Sequence, residues 1–201
     1  YDREAELKPY FAVGSGGGFV DVGSNVGYYT LQIASNPDVK VISIEANPET
    51  YAALCRNIEC NGFRNVVTIN KAVSSTKGRV ILYNDFDSDG VLWAGHASMI
   101  EPKKEDTLLD TDYNAETVVE SDTLDDMLKE NAIRDVDLLK IDIEGAEVQA
   151  LEGATETLKR SKRVIVEVHG NNLDNVKFML EKNKFKIKVF SAYIIADKAP
   201  V

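Results

Sequence analysis

The chain has 201 residues, 44% of them hydrophobic, which is enough for one domain built around one core. Its formal net charge is −10, so most of its surface would repel the phosphates of nucleic acids and of anionic membranes. No stretch approaches the roughly 18 consecutive apolar residues that span a bilayer. We therefore expect a single domain over residues 1–201, with neither a nucleic acid nor a membrane as partner.

The only two cysteines, Cys55 and Cys60, lie five residues apart on one predicted helix. Side chains at this spacing point in different directions and do not bridge easily. Cys55 also falls in the apolar stripe of that helix, where it fills the core. Two unbridged thiols fit a reducing compartment, so we expect a cytoplasmic protein.

Short apolar strands alternate with helical patterns in the first half of the chain, as in a parallel sheet covered on both faces. Strands are predicted at 18–23, 40–45, 65–70 and 78–83, and a helix at 26–35. A second helix follows the strand at 40–45. It has Asn47 as N-cap, Pro48 at its first position and Gly62 at its end.

The regular alternation of strand and helix patterns stops at about Asn84 and resumes at about Glu116. The segment between them is polar, acidic and irregular, with isolated Trp93, His96 and Met99. A segment of this length inside a compact domain is typical of a lid or a binding loop. We expect it to form a lid or a binding loop.

The second half of the chain continues the alternation and then ends differently. Strands are predicted at 117–120, 136–143, 163–168, 185–190 and 193–196, with helices at 121–131, 144–160 and 171–183. Only Ser191 and Ala192 separate the last two strands, which is too short for a crossover helix, so they should pair antiparallel. The predicted fold is α/β, with about seven mostly parallel strands, a C-terminal antiparallel hairpin and helices on both faces.

A glycine-spaced turn, Gly23-Ser-Asn-Val-Gly27, follows the first strand. Ligands of open α/β sheets bind beyond the carboxyl ends of the strands, where the strand order reverses. Glu45 ends the second strand, and its carboxylate is placed there to accept hydrogen bonds from both hydroxyls of a ribose. Each feature alone has an ordinary packing or surface explanation, but together they indicate a nucleoside site.

The turn differs from the G-x-G-x-x-G pattern, which allows a pyrophosphate to approach the backbone. Asp21, just before the turn, would place a negative charge near any phosphate. S-adenosylmethionine fits better, because it has a ribose, an amino acid group and a sulfonium but no phosphate. The alternatives are an NAD(P)-dependent oxidoreductase on a Rossmann-like sheet and a non-catalytic cofactor-binding domain.

Several separate stretches resemble the FkbM family of S-adenosylmethionine-dependent methyltransferases. They are FVDVGSNVG, ISIEANPETYAAL, NKAVS, SDTLDDML and LLKIDIEGAEVQALEGA, in this order between about Phe19 and His169. The resemblance implies a class I methyltransferase sheet of seven strands, which is Rossmann-like. It also implies methylation of a hydroxyl oxygen on a sugar, a polyketide or a similar small metabolite.

The resemblance further implies the cofactor contacts. Asp21, Gly23 and Gly27 would line the methionine part, and Glu45 would bind the ribose hydroxyls. Ala46 with Lys71 or Ala72 would flank the adenine, and the remaining expected contacts are Ser24, Asn25, Asn47 and Asp142.

Catalytic candidates cluster at the ends of two later strands. Lys140, Asp142 and Glu144 alternate onto one side of a strand and should emerge beside the cofactor. A lone buried carboxylate is costly, so Lys140 is the expected partner of Asp142. His169 follows the next strand and is another candidate general base, which Glu167 could orient.

Glu147 lies in the first turn of a predicted helix, where an acid complements the helix dipole, and we expect no further role for it. Paired acids can also hold a divalent cation, but the sequence offers no complete ligand set, so no metal is expected. The sequence DIEG stands where an aminomethylating enzyme would have an N/D-P-P-Y-like motif, which favours oxygen as the methylated atom.

Overall fold

We describe residues 7–84, 97–100, 115–131, 133 and 135–199 in a computed structural model of the chain. The strands in these ranges are β1 (Gly18–Val22), β2 (Lys40–Ile44), β3 (Val66–Ile69), β4 (Ala72–Val73), β5 (Gly78–Asn84), β6 (Ala115–Asp122), β7 (Val136–Ile141), β8 (Ser161–Glu167), β9 (Phe185–Phe190) and β10 (Tyr193–Lys198). A 3-10 helix at Lys8–Phe11 is followed by the α-helices α1 (Tyr28–Ala34), α2 (Pro48–Cys60), α3 (Leu124–Glu130), α4 (Glu147–Glu152), α5 (Thr155–Arg160) and α6 (Leu173–Lys182).

Seven of the strands form the central sheet, in the order β3-β2-β1-β7-β8-β10-β9. Neighbours from β3 to β8 pair in parallel, whereas β10 is antiparallel to both β8 and β9. The predicted mostly parallel sheet with a C-terminal hairpin is therefore confirmed. The strand order reverses between β1 and β7, which places the crevice of the sheet at their carboxyl ends.

The central strands are buried on both faces, because successive side chains of a strand point to opposite sides. Val20 and Leu139 pack into the cluster on one face, and Phe19 and Leu138 pack into the cluster on the other. On α2, Leu54 and Ile58 are buried but Cys55 is only partly so, and both cysteines are free thiols.

A second, smaller sheet has the strand order β4-β6-β5, and the sequence did not predict it as a separate unit. The predicted strand at 78–83 exists as β5, but it pairs antiparallel with β6 rather than joining the central sheet. The predicted helix at 144–160 is divided into α4 and α5. A Cβ atom at Gly153 would lie 2.1 Å from the carbonyl oxygen of Ser74, so the chain packs too closely there for a side chain.

Most of the predicted irregular segment, including Trp93 and His96, lies outside the described residues. Residues 97–100 are described, and Ser98 forms an isolated antiparallel bridge with Tyr83. Among the helices that the structure describes, none is long and apolar enough to cross a membrane.

Candidate active site

A cavity of about 360 Å³ opens at the carboxyl ends of β1, β2 and β7. This volume is within the range of small-molecule sites. Most of the predicted site residues line it, namely Gly23, Ser24, Asn25, Glu45, Ala46, Lys71, Ala72, Lys140, Asp142 and Glu144. The other four predicted residues, Asp21, Gly27, Asn47 and His169, do not line this cavity.

The turn after β1 is shaped by close approach of the backbone of β7. Gly23 has a φ of 72°, and a Cβ atom there would lie 1.8 Å from the carbonyl oxygen of Asp142. Gly27 has a φ of 99°, and its missing Cβ makes room for Leu54 of α2. The positive φ by itself calls for glycine at position 27, and the expected contact of Gly27 with the methionine part stays a prediction.

Glu45 is buried at the end of β2 and is held by two backbone N–H groups. Its Oε2 accepts from Asn25 N at 2.9 Å, and its Oε1 accepts from Asn47 N at 2.9 Å. Burial raises the pKa of this carboxyl, and the two hydrogen bonds oppose the rise. Because a carboxylate oxygen has two lone pairs, both oxygens can still accept one hydroxyl each.

Ser24 supplies a second polar group to the cavity. Its side chain is almost fully buried, and its Oγ has no hydrogen-bond partner within the described ranges. A buried hydroxyl is normally satisfied, so an unpaired one that faces a cavity fits a site shaped for a polar ligand.

Asn47 acts mainly at the start of α2. Its Oδ1 accepts from the backbone N–H groups of Glu49 and Thr50, as predicted for the N-cap. Its Nδ2 donates to Asn84 Oδ1 at 2.7 Å. Both polar atoms of the amide side chain therefore have partners within the protein, and the backbone N–H of Asn47 holds Glu45. The expected contact of Asn47 with the cofactor stays a prediction.

Ala46, Lys71 and Ala72 line the wall that the sequence assigned to the adenine. Lys71 Nζ lies 3.1 Å from Asp122 Oδ2, an ion pair that fixes the direction of its side chain. Apolar atoms of Leu82 and Met99 complete this wall. A mostly apolar wall beside Glu45 suits a heterocyclic base.

Asp21 is buried behind the turn and does not line the cavity, and its expected contact with the methionine part stays a prediction. It is directly opposite Lys140 in the β1–β7 register, and its Oδ1 lies 3.2 Å from Lys140 Nζ. Its Oδ2 accepts from the Thr30 hydroxyl at 2.7 Å. The same lysine lies 3.4 Å from Asp142 Oδ2, which confirms the predicted pairing of those two residues.

Lys140 also fixes the turn, because its Nζ donates to the carbonyl oxygen of Gly23 at 2.8 Å. Burial alone would lower the pKa of this ammonium, but the charges of Asp21 and Asp142 outweigh burial and raise it. Lys140 therefore remains a cation at neutral pH. It links β1, the turn and β7 and is unsuited to accept a proton.

A chain of hydrogen bonds and ion pairs joins the ends of β7 and β8. His169 Nδ1 lies 2.9 Å from Glu147 Oε1, and His169 Nε2 lies 3.4 Å from Glu144 Oε2. Glu147 also accepts from Gly145 N at 2.8 Å and from Asn172 Nδ2 at 3.0 Å. The assignment of Glu147 to the helix dipole alone is wrong, because this fully buried acid holds His169.

Charge and burial shift the pKa values of His169 and Glu144. Burial alone would lower the pKa of His169, but the Glu147 hydrogen bond and the charge of Glu144 raise it to about 9. Burial raises the pKa of Glu144 to about 7, even though the charge of His169 opposes the rise. At neutral pH His169 is therefore mostly protonated, and Glu144 is the better proton acceptor of the two.

Glu167 lines the cavity, but its hydrogen-bond partner is Tyr193, so the prediction that it orients His169 is wrong. Antiparallel pairing of β10 with β8 places Tyr193 directly opposite Glu167. No local sequence signal connects Glu147 to His169 or Asn172 to Glu147, because these contacts arise from the packing of α4 beside α6 and the end of β8.

Glu144 has a left-handed backbone conformation, with a φ of 49°. Its carbonyl oxygen accepts from the Ser98 hydroxyl at 2.6 Å. Such conformations are uncommon outside glycine and occur often at functional sites. The contact also shows that residues 97–100 border the cavity, as Ala97 and Met99 line it directly.

Asp142, Glu144 and His169 are the described residues that could hold a cation together. Each offers one ligand atom, and these atoms lie within 4.8 Å of one another. Lys140 and His169 already place positive charge among these carboxylates. The expectation that no metal is needed stays a prediction.

The family model for the methyltransferase FkbM domain matches residues 21–187. The chain belongs to the FkbM methyltransferase family. The match begins at Asp21 on β1 and ends in β9, so it includes every predicted site residue.

Three curated relatives of this FkbM methyltransferase domain are themselves methyltransferases. Methyltransferase sdnD of Sordaria araneosa is 27% identical over 68% of this chain and 60% of its own length. The 2-O-methyltransferase NoeI of Sinorhizobium fredii is 25% identical over 77% of this chain and 64% of its own length. The hexuronic acid methyltransferase AglP of Haloferax volcanii is 23% identical over 84% of this chain and 63% of its own length. The chain thus spans about three-fifths of the length of these relatives.

Solved structures of other methyltransferases share the fold. A precorrin-6y C5,15-methyltransferase of Geobacter metallireducens has a TM-score of 0.60 at 13% identity, covering 97% of this chain and 87% of its own. An rRNA methylase of Streptococcus thermophilus has a TM-score of 0.58 at 10% identity, covering 98% of both chains. At these identities the likeness concerns the fold, which is that of class I methyltransferases.

Proposed function

We propose that this FkbM-family domain is an S-adenosylmethionine-dependent O-methyltransferase. The observation that supports it most strongly is Glu45, whose two oxygens are each fixed by one backbone N–H and keep room for one hydroxyl each. This arrangement matches the adjacent 2′ and 3′ hydroxyls of a ribose. The unpaired Ser24 hydroxyl beside it fits the polar amino acid end of the same ligand.

The chemistry that S-adenosylmethionine supplies when bound is an electrophilic methyl group. The protein contributes position, since holding the acceptor oxygen in line with that group accounts for much of the rate. Lys140 keeps the Gly23 turn and Asp142 in place, and Glu144 lies at the cavity wall to receive the hydroxyl proton. A positioned base contributes on the order of 10² to 10⁴ in rate.

The acceptor in this proposal is a hydroxyl on a sugar, polyketide or other small molecule. The name of NoeI, a 2-O-methyltransferase, supports an oxygen acceptor, and the name of AglP, a hexuronic acid methyltransferase, supports a sugar-type acceptor. Residues 1–201 would form one methyltransferase domain, with the segment at about 84–116 as its lid or acceptor-binding part. The net charge of −10 supports an enzyme without a nucleic-acid partner, and the free thiols of Cys55 and Cys60 support a cytoplasmic one.

A nicotinamide-dependent oxidoreductase is not favoured, because the FkbM match covers the whole candidate site. Calorimetric titration of one protein preparation with S-adenosylhomocysteine, NADH and NADPH separates these functions. We expect saturable binding of S-adenosylhomocysteine and no binding of either nicotinamide nucleotide. Binding of NADH or NADPH in preference to S-adenosylhomocysteine would contradict the proposal.

A further inference from the structure

The cavity has two chemically different ends, because the strands that supply its residues lie side by side. Glu45 follows β2, Asp142 follows β7, and Glu167 ends β8. In the order β2-β1-β7-β8 Glu45 and Glu167 are three strand spacings apart, or about 14 Å, and Asp142 lies between them. A nucleoside held by Glu45 would thus leave the β7–β8 end of the cavity for the acceptor.

The β7–β8 end of the cavity is rich in carboxylates. Asp142, Glu144 and Glu167 line it, and the fully buried Glu147 lies behind them. Burial raises the pKa of Glu167, and the charge of Asp142 raises it further, which reflects the crowding of these acids.

The described cations of this region are already paired. Lys140 is shared between Asp21, Asp142 and the Gly23 carbonyl oxygen. His169 lies between Glu144 and Glu147. On the adenine wall, Lys71 is paired with Asp122. An anionic group entering the β7–β8 end would therefore face carboxylates without a free counter-charge from the described residues.

We infer that the acceptor presents uncharged hydroxyls or an amine to the β7–β8 end of the cavity, and that acceptors carrying a carboxylate or phosphate there are rejected. The inference rests on the proposed function and specifies its substrate class. Carboxylates accept hydrogen bonds from hydroxyl and ammonium groups, whereas like charges placed together cost several kcal/mol. The exposed ring of Tyr28 on the same cavity adds an apolar surface with a polar tip.

This specificity would differ from that expressed in the name of the relative AglP, a hexuronic acid methyltransferase. A matched set of sugars tests the difference, because methyl glucoside, methyl glucuronide and methyl 6-amino-6-deoxyglucoside differ only in the group at C6. Protein saturated with S-adenosylhomocysteine is titrated with each of them, and binding is followed by saturation-transfer NMR. We expect the glucuronide to bind at least about tenfold more weakly than the other two.

A double variant shows whether the carboxylates cause the discrimination. In the variant Glu144→Gln/Glu167→Gln, the glucuronide should bind less than about threefold more weakly than the other two sugars. Glu152→Gln is the matched control, because this exposed glutamate of α4 does not line the cavity and should leave the disadvantage unchanged.

The order of the measurements separates the two levels of the proposal. Failure to bind S-adenosylhomocysteine at the outset would remove the proposed function and the inference with it. With that binding intact, equal or tighter binding of the glucuronide, or no binding of any of the three sugars, would overturn the acceptor class alone. An unchanged glucuronide disadvantage in the double variant would likewise overturn it.

Discussion

The carbonyl oxygen of Asp142 lies where a side chain at position 23 would begin, at 1.8 Å from an added Cβ. The conflict is with backbone, so no rotamer change can relieve it. We expect Gly23→Ala to lower the free energy of unfolding by about 2 kcal/mol or more and to weaken S-adenosylhomocysteine binding, because the turn must move away from β7.

Gly14→Ala is the control for this substitution, since a Cβ there meets nothing within 4 Å. Urea unfolding and calorimetry of both variants make the comparison. Equal stability and affinity of Gly23→Ala and the parent protein would show that the turn is not constrained by β7.

His169 carries a second prediction at the residue scale. Its pKa is raised from 6.5 to about 9 once the Glu147 hydrogen bond and the Glu144 charge outweigh burial. Because the folded pKa is raised, the stability that protonated His169 contributes is fully present below about pH 6.5 and is lost as pH rises through 9. We expect Glu147→Gln to lower the His169 pKa by at least about one unit.

NMR of the imidazole Cε1–H signals measures this directly, because His96 is the only other histidine and supplies a second curve in the same spectra. Glu152→Gln serves as the control on α4. A His169 midpoint that is the same in Glu147→Gln and in the parent protein would refute the role assigned to Glu147.

At the scale of elements, the central sheet could be predicted because its strands are short apolar runs between turn residues. The partner of each charged residue could not be predicted in the same way. Lys140 was expected to pair with Asp142 alone, but the β1–β7 register also places Asp21 opposite it. Strands 18–22 and 136–141 are far apart in sequence, and composition alone does not reveal that they are neighbours.

The second sheet was missed for a related reason. β5 and β6 are separated by about 30 residues without a clear pattern, so no turn signal joined them into a hairpin. The break at Gly153 was also missed, because the cause is contact with Ser74 rather than a local propensity. Sequence patterns report local periodicity and caps well, and long-range packing poorly.

The cap of α2 was predicted and leads to a stability test. Asn47→Ala removes an oxygen that accepts from Glu49 N and Thr50 N, and we expect a loss of about 1 to 2 kcal/mol in urea unfolding. Asn47→Ser keeps a capping oxygen and should recover most of this loss. Because the backbone N–H that holds Glu45 remains, affinity for S-adenosylhomocysteine should fall less than threefold in either variant. No measurable loss of stability in Asn47→Ala would contradict the assigned cap.

At the scale of the whole molecule, the acidic character raises the question of a metal requirement. Asp142, Glu144 and His169 are close enough to share a cation, but Lys140 and His169 supply positive charge among them. We expect methyl transfer to an acceptor found by screening hydroxyl compounds to continue unchanged in excess EDTA. Loss of turnover in EDTA, with recovery on adding Mg²⁺ or Mn²⁺, would contradict this expectation.

The family and the general position of the site could be predicted from the whole chain. The glycine turn, Glu45 and the stretch after Leu138 follow one another in the order that is typical of the family. The acceptor could not be, because its binding groups are collected from β7, β8 and residues 97–100 only when the chain folds. Tertiary structure was needed to bring Glu144, Glu147, His169 and Asn172 together.

The central claim is that the pre-oriented carboxylate of Glu45 binds the ribose of S-adenosylmethionine. Calorimetric titration of the Glu45→Ala variant with S-adenosylhomocysteine tests it, with Glu49→Ala as the control for an exposed acid at the start of α2. Hydrogen bonds to a charged group are worth about 1.5 to 3 kcal/mol each, so we expect at least tenfold weaker binding in Glu45→Ala and unchanged binding in Glu49→Ala. A folded Glu45→Ala protein that binds S-adenosylhomocysteine as tightly as the parent would contradict the claim.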